Sequence, residues 1–129
     1  MNQKLVAVAL LVRDYDEAIA FFTQRLGFRL LQDESRGPQK RWVRIAPPGD
    51  EETGLLLARA ATPNQIKAVG NQSGGRVMFF LHTDDFDRDY SAMKSNGIEF
   101  TEEPRNEEYG RVIVFKDLYG NKWDLIEPR

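Results

Sequence analysis

The chain has 129 residues, 41% of them apolar, which is enough to bury one core of ordinary size without disulfide or metal staples. Eighteen Lys and Arg stand against twenty Asp and Glu, interspersed along the sequence, so no broad basic face for nucleic acid or an acidic membrane is implied. A single histidine, His82, and the absence of cysteine leave at most one imidazole or thiolate for zinc, iron or copper, although carboxylates remain for magnesium, calcium or manganese.

Leu5 to Val12 is an apolar run of strand length, broken by Arg13, Asp14, Tyr15 and Asp16, which suit a turn and a helix start. The run is too short to span a bilayer and lacks the flanks of a secretory leader, so a cytoplasmic protein is expected. From Asp16 to Leu26 the apolar Ala18, Ile19, Phe22 and Leu26 keep helical spacing, and Gly27 suits a C-terminal cap. Three strand-like stretches follow, Phe28 to Gln32, Arg41 to Ala46 and Gly54 to Ala58, separated by Arg36-Gly37-Pro38 and Pro47-Pro48-Gly49.

The segment Thr62 to Gly75, rich in Gly, Pro, Asn and Ser, shows neither period and reads as a linker. The same order then returns. Val77 to Thr83 is strand-like, Asp84 to Asp87 repeat the turn and cap, Phe86, Tyr90 and Met93 keep helical spacing, and Gly97 closes the helix. Ile98 to Thr101, Val112 to Phe115 and Lys122 to Ile126 are the last three strands. Asp14-Tyr15-Asp16 and Asp85-Phe86-Asp87 lie 71 positions apart, and Gly27 and Gly97 lie 70 apart. A period near half the chain marks a duplicated module. The expectation is one domain over residues 1–129, of α+β class, with a first module over about 1–61, a linker over about 62–75 and a second module over about 76–129.

On Val8 to Asp16 with Ala18 and Phe22, Leu26-Gly27-Phe28, Thr83 to Asp87, and the closing run Phe115 to Pro128 with its Asp117-Leu118-Tyr119-Gly120-Asn121 turn and Leu125-Ile126-Glu127-Pro128 ending, the chain resembles the vicinal oxygen chelate superfamily. That group contains glyoxalase I, bleomycin and fosfomycin resistance proteins and extradiol dioxygenases. The resemblance implies two tandem βαβββ modules, each curling its strands around a cavity, with helices on the convex face, in a chain that pairs as a homodimer.

Strand alternation then assigns faces. If Val8, Leu10 and Val12 pack beneath the first helix, Ala7, Ala9 and Leu11 face the cavity, and the same parity turns Met78, Phe80 and His82 inward. Trp42, Arg44, Leu56, Ala58, Asp124 and Ile126 face in as well. The strand from Arg111 to Lys116 is apolar on both faces and receives no assignment.

Metal-dependent members place ligands at positions that here carry Ala7, Leu56, Met78 and Asp124, and only Asp124 offers a hard donor. No cofactor is expected, and a divalent ion would rest on Asp124 alone. His82 and Asp124 are the candidate acid–base groups, with His82 bonded to Asp84, Asp85 or solvent as the structural alternative. Arg44 suits a carboxylate, phosphate or planar anion, unless it pairs with Asp124 or a glutamate. Trp42 and Phe80 offer flat surfaces, or core packing. Glu102-Glu103 and Glu107-Glu108 read as a solvated acidic loop, and Arg36, Lys40 and Arg41 as a wet hairpin edge. The favoured reading is a metal-free protein that binds a small planar or amphipathic molecule. The alternative is a metal-dependent lyase, isomerase or dioxygenase with displaced ligands such as His82, Asp124 and Glu127.

Overall fold

A computed structural model describes residues 1–50 and 52–129. The first strand, β1 (Ala7–Val12), ends where Asp14 turns extended and its side chain accepts from the Glu17 amide at 2.9 Å. Such a cap satisfies one of the amides that a helix start leaves unpaired. It opens α1 (Tyr15–Ala20), which runs directly into a π-helical turn at Phe21–Arg25. Gly27 then takes φ 73°, the left-handed conformation glycine adopts without steric cost.

Three strands follow, β2 (Arg29–Ser35), β3 (Arg41–Ala46) and β4 (Gly54–Arg59), and the sheet order is β1-β4-β3-β2. β1 pairs in parallel with β4, and the other neighbours are antiparallel. Leu10, Val12, Ala18, Phe22, Val43, Ile45 and Leu57 are fully buried. They form the core between the first helix and one face of this sheet. Each Leu, Ile or Phe so buried contributes about 1.5–3 kcal/mol. Val8, at the start of β1, is exposed despite sharing their parity.

The segment expected to be structureless contains α2 (Pro63–Ala68), and this corrects the linker reading. Thr62 accepts from the Gln65 amide, Pro63 occupies the first turn, and the Gln65 side chain accepts from the Ala61 amide at 2.8 Å. That is nearly the reciprocal capping that Thr-x-x-Gln predicts, in a sequence too short to show an apolar period.

The second half repeats the plan. β5 (Val77–His82) leads to Asp85, which caps α3 (Phe86–Ser95) by accepting from the Arg88 amide, and Gly97 follows with φ 78°. With β6 (Glu99–Phe100), β8 (Gly110–Lys116) and β9 (Lys122–Pro128) the sheet order is β5-β9-β8-β6, again with the first and last strands parallel. The sixth strand differs from the expected Ile98–Thr101. It splits into β6 (Glu99–Phe100) and β7 (Arg105–Glu107), both antiparallel to β8. The glutamates expected to be merely solvated help to hold β7, since Arg105 donates to Glu102 at 2.5 Å and to Glu107 at 2.8 Å. Phe115 and Trp123 stack with centroids 5.7 Å apart, and Phe79 lies 4.3 Å from Trp123, which fixes the core face of this sheet. The chain divides into two compact units, Met1–Val69 and Gly70–Arg129.

The turn between β8 and β9 is built on one buried carboxylate. Asp117 accepts from the backbone amides of Tyr119 and Asn121, from Asn121 Nδ2, and from Trp123 Nε1 at 3.0 Å. Removing this hub strands several donors, two of them on buried side chains, and each buried donor left without an acceptor costs about 1–3 kcal/mol. Asp117→Ala is therefore expected to lower the unfolding free energy by about 3 kcal/mol in urea denaturation, with Asp117→Asn costing less.

Candidate functional site

In the first unit, the face of the sheet opposite the helix is built by register. Ala9 pairs with Leu56, Leu56 with Arg44 and Arg44 with Gln32, so these four side chains form one row across the strands. Leu11, paired with Ala58, begins the next row, and Trp42 on β3 shares the face by parity with Arg44. Ala7 stands at the start of β1 opposite Gly54. Thus all seven positions assigned inward in this unit, Ala7, Ala9, Leu11, Trp42, Arg44, Leu56 and Ala58, share one face.

The polar groups of this face centre on Gln32. Its Oε1 accepts from Trp42 Nε1 at 3.0 Å and from Arg44 Nη1 at 3.4 Å, while its amide nitrogen donates to Glu34 at 2.5 Å. One side chain therefore fixes both the indole and the guanidinium. Gln32 was not singled out from the sequence because a bulge at Leu31 shifts the β2 register there. The Nε of Arg44 is buried with no hydrogen-bond partner among the described residues.

At the end of this sheet where β1 and β4 finish and β3 begins lies a cavity of about 570 Å³. Leu11, Leu56, Ala58 and Trp42 supply its apolar bed, Tyr15 and Gln65 its neutral polar groups, and Lys40, Arg41 and Arg59 its charges. The volume falls in the range of small-molecule sites. Arg41 is not merely a wet edge. It bonds Asp33 at 2.7 Å and Asp16 at 2.8 Å, which raises its own affinity for the proton, and the same bond holds the Asp33 carboxyl below the ordinary carboxylate value.

In the second unit, Phe80, Asp124 and Val114 form the corresponding row. β8 resolves by register: Ile113 and Phe115 pair with Leu125 and Trp123 on the core face, and Val112 and Val114 pair with Ile126 and Asp124 on the other. Phe80 is 64% exposed and Trp42 37%, so neither aromatic packs in a core. Met78 sits in a bulge of β5, where Val77 and Phe79 stand opposite the adjacent Lys122 and Trp123, so alternation does not carry through it. His82 is exposed at the strand end. The carboxylates proposed as its partners are engaged elsewhere, Asp84 with Arg88 at 2.8 Å and Asp85 as the α3 cap. Glu127 accepts from the Phe86 amide at 2.7 Å at the start of α3 and serves that helix.

The donor set does not fit a divalent ion. Ala7, Leu56 and Met78 carry no hard ligand, and no group of three or more His, Cys, Asp or Glu able to hold a metal gathers among the described residues.

A family model described as the glyoxalase/bleomycin resistance protein/dioxygenase superfamily matches residues 4–125. The chain belongs to that superfamily. An uncharacterized protein of Shewanella frigidimarina is 52% identical over 98% of this chain and 95% of its own length. The uncharacterized protein YetH of Bacillus subtilis is 33% identical over 98% of this chain and all of its own. Among solved structures, UcmS2 superposes with a TM-score of 0.86 at 27% identity, covering 98% of this chain and 99% of that one. TnmS3, an antibiotic binding protein from Streptomyces sp. CB03234, gives 0.80 at 29% identity, covering 99% and 98%. Among the described residues no helix is long and apolar enough to cross a membrane.

Asp124 is a buried carboxylate in the second unit, and its Oδ1 has no partner among the described residues. Burial pushes its carboxyl above the ordinary carboxylate value. The positive Arg105 opposes that shift and Glu102 adds to it. The folded protein therefore keeps this proton at a pH where the unfolded chain has released it. Stability contributed by the neutral acid is present below the ordinary carboxylate value and is lost as pH rises through the folded one. Asp124→Asn is expected to flatten that decline, which begins as pH rises above the ordinary carboxylate value, and to melt no lower than the parent at neutral pH, as read by thermal denaturation across a pH series.

Proposed function

We propose that this chain is a metal-free small-molecule-binding protein. The first-unit cavity, with its bed of Leu11, Leu56, Ala58 and Trp42, would receive a flat or amphipathic ligand. The observation that carries this reading is the pairing of an apolar, aromatic cavity with ligand positions of the superfamily occupied by Ala7, Leu56 and Met78, none of which can hold a hard cation. The likeness to TnmS3, itself an antibiotic binding protein, supports it. Trp42 supplies the recognition surface. Its indole N–H is already satisfied by Gln32, so the ring stays fixed with no donor left to seek water.

Protein stripped with a chelator should bind the apolar fluorophore N-phenyl-1-naphthylamine as well as untreated protein does. Trp42→Ala should weaken that binding about two- to tenfold, the worth of one aromatic contact. Isothermal titration with zinc, nickel and manganese should show no stoichiometric uptake. Tight one-to-one uptake of any of the three would overturn the metal-free reading and restore the lyase, isomerase or dioxygenase alternative.

A further inference from the structure

Arg44 is a poorly satisfied, half-buried charge on the first sheet. Its guanidinium is half-buried, its Nε is enclosed without a partner, and its one hydrogen bond runs at 3.4 Å to the neutral Gln32. No carboxylate pairs with it among the described residues. The closest acid in the network, Glu34, is taken by Gln32 and by Arg36. A guanidinium is always protonated and presents a planar fork of donors, so a partly dehydrated one without a counter-ion favours a group with two anionic oxygens in its plane.

The surroundings repeat that preference. Arg44 lies just beyond the lining residues, opposite Leu56, which lines the cavity, and on the strand face it shares with Trp42, which lines it too. Every charged residue in the cavity lining is cationic. Arg41 is neutralised by Asp16 and Asp33, while Lys40 and Arg59 have no ion-pair partner among the described residues. Lys40 and Arg59 are exposed, so they attract an anion from solution and are screened by salt, whereas half-buried Arg44 is screened less.

We infer that the first-unit cavity selects flat aromatic molecules bearing an anionic group of the carboxylate, sulfonate or phosphate kind, with the ring on the Trp42 and Leu56 bed and the anion held by Arg44. This rests on the small-molecule-binding reading above and names the class of ligand. Lys40 and Arg59 contribute attraction at the rim.

Two probes with one ring system separate the possibilities, 8-anilinonaphthalene-1-sulfonate, which carries the anion, and N-phenyl-1-naphthylamine, which does not. The unmodified protein should bind the sulfonate at one site at least tenfold more tightly, a difference of about 1.4 kcal/mol. Arg44→Met should abolish that preference while melting no lower than the parent, because it removes a buried donor that had no acceptor. Arg44→Lys should keep part of the preference. Replacing Lys40 and Arg59 by Ala should cost only two- to threefold, and that loss should vanish at high salt. Amide shifts on adding the sulfonate should centre on Trp42, Leu56 and Ala58. Equal affinity for the two probes would overturn the anion preference and leave the small-molecule reading standing. If neither probe bound at a single saturable site, both would fall. A preference that survived in Arg44→Met would remove Arg44 from the role.

Discussion

The first sheet packs one face against α1, and the alternation of side chains along a strand turns that into a division of labour. Leu10, Val12, Val43, Ile45 and Leu57 meet the first helix and carry the stability of their unit. Their chain neighbours Ala9, Leu11, Trp42, Arg44, Leu56 and Ala58 are thereby turned to the opposite face, half-buried or exposed. The same strands serve both purposes without conflict because the two sets alternate. In the second unit the corresponding face is more enclosed, with Val112, Val114, Asp124 and Ile126 all buried.

That division lets side chains on the second face of the first sheet differ without disturbing the core beneath α1. Ala7 and Leu56 stand on that second face, outside the helix-facing core. The two units have diverged unequally on that face. The first carries a guanidinium where the second carries Val114, and the second carries Asp124 where the first carries Leu56. Asp124 is accordingly a carboxyl in a place built for a neutral group, and the uncharged form is the one its burial favours.

Most of the fold was legible because its signals are local and repeated. Asp14 and Asp85 cap their helices, Gly27 and Gly97 end them, and the strand parities follow from apolar runs of the right length. What escaped was whatever the two periods do not encode. α2 is too short to show an apolar stripe, though Thr62, Pro63 and Gln65 spelled out its start. The pairing of Arg105 with Glu102 and Glu107, which helps to hold β7, joins charges whose spacing suggested only solvation. Gln32 was hidden by the bulge at Leu31, and the cavity rim at Lys40, Arg59 and Gln65 comes from a loop, a strand end and a helix brought together only by folding. Face assignments of single strands were readable, and the grouping of loop residues was not.

The π-helical turn at Phe21–Arg25 bears on the history of the duplication. Asp14 and Gly27 are thirteen positions apart, whereas Asp85 and Gly97 are twelve apart. Up to Phe22 and Met93 the halves keep one offset, and beyond them they keep another, so the extra residue falls within the π-helical turn. There the amide of Leu26 reaches back five residues to Phe21, which widens the helix by one residue and lets Gly27 end it as Gly97 ends its counterpart. An insertion in the middle of an amphipathic helix ordinarily rotates everything after it by about 100° off its apolar face. Here the widened turn took up that rotation, so the two copies could drift in length inside a regular element, and not only in their loops, without either losing its seat on its sheet.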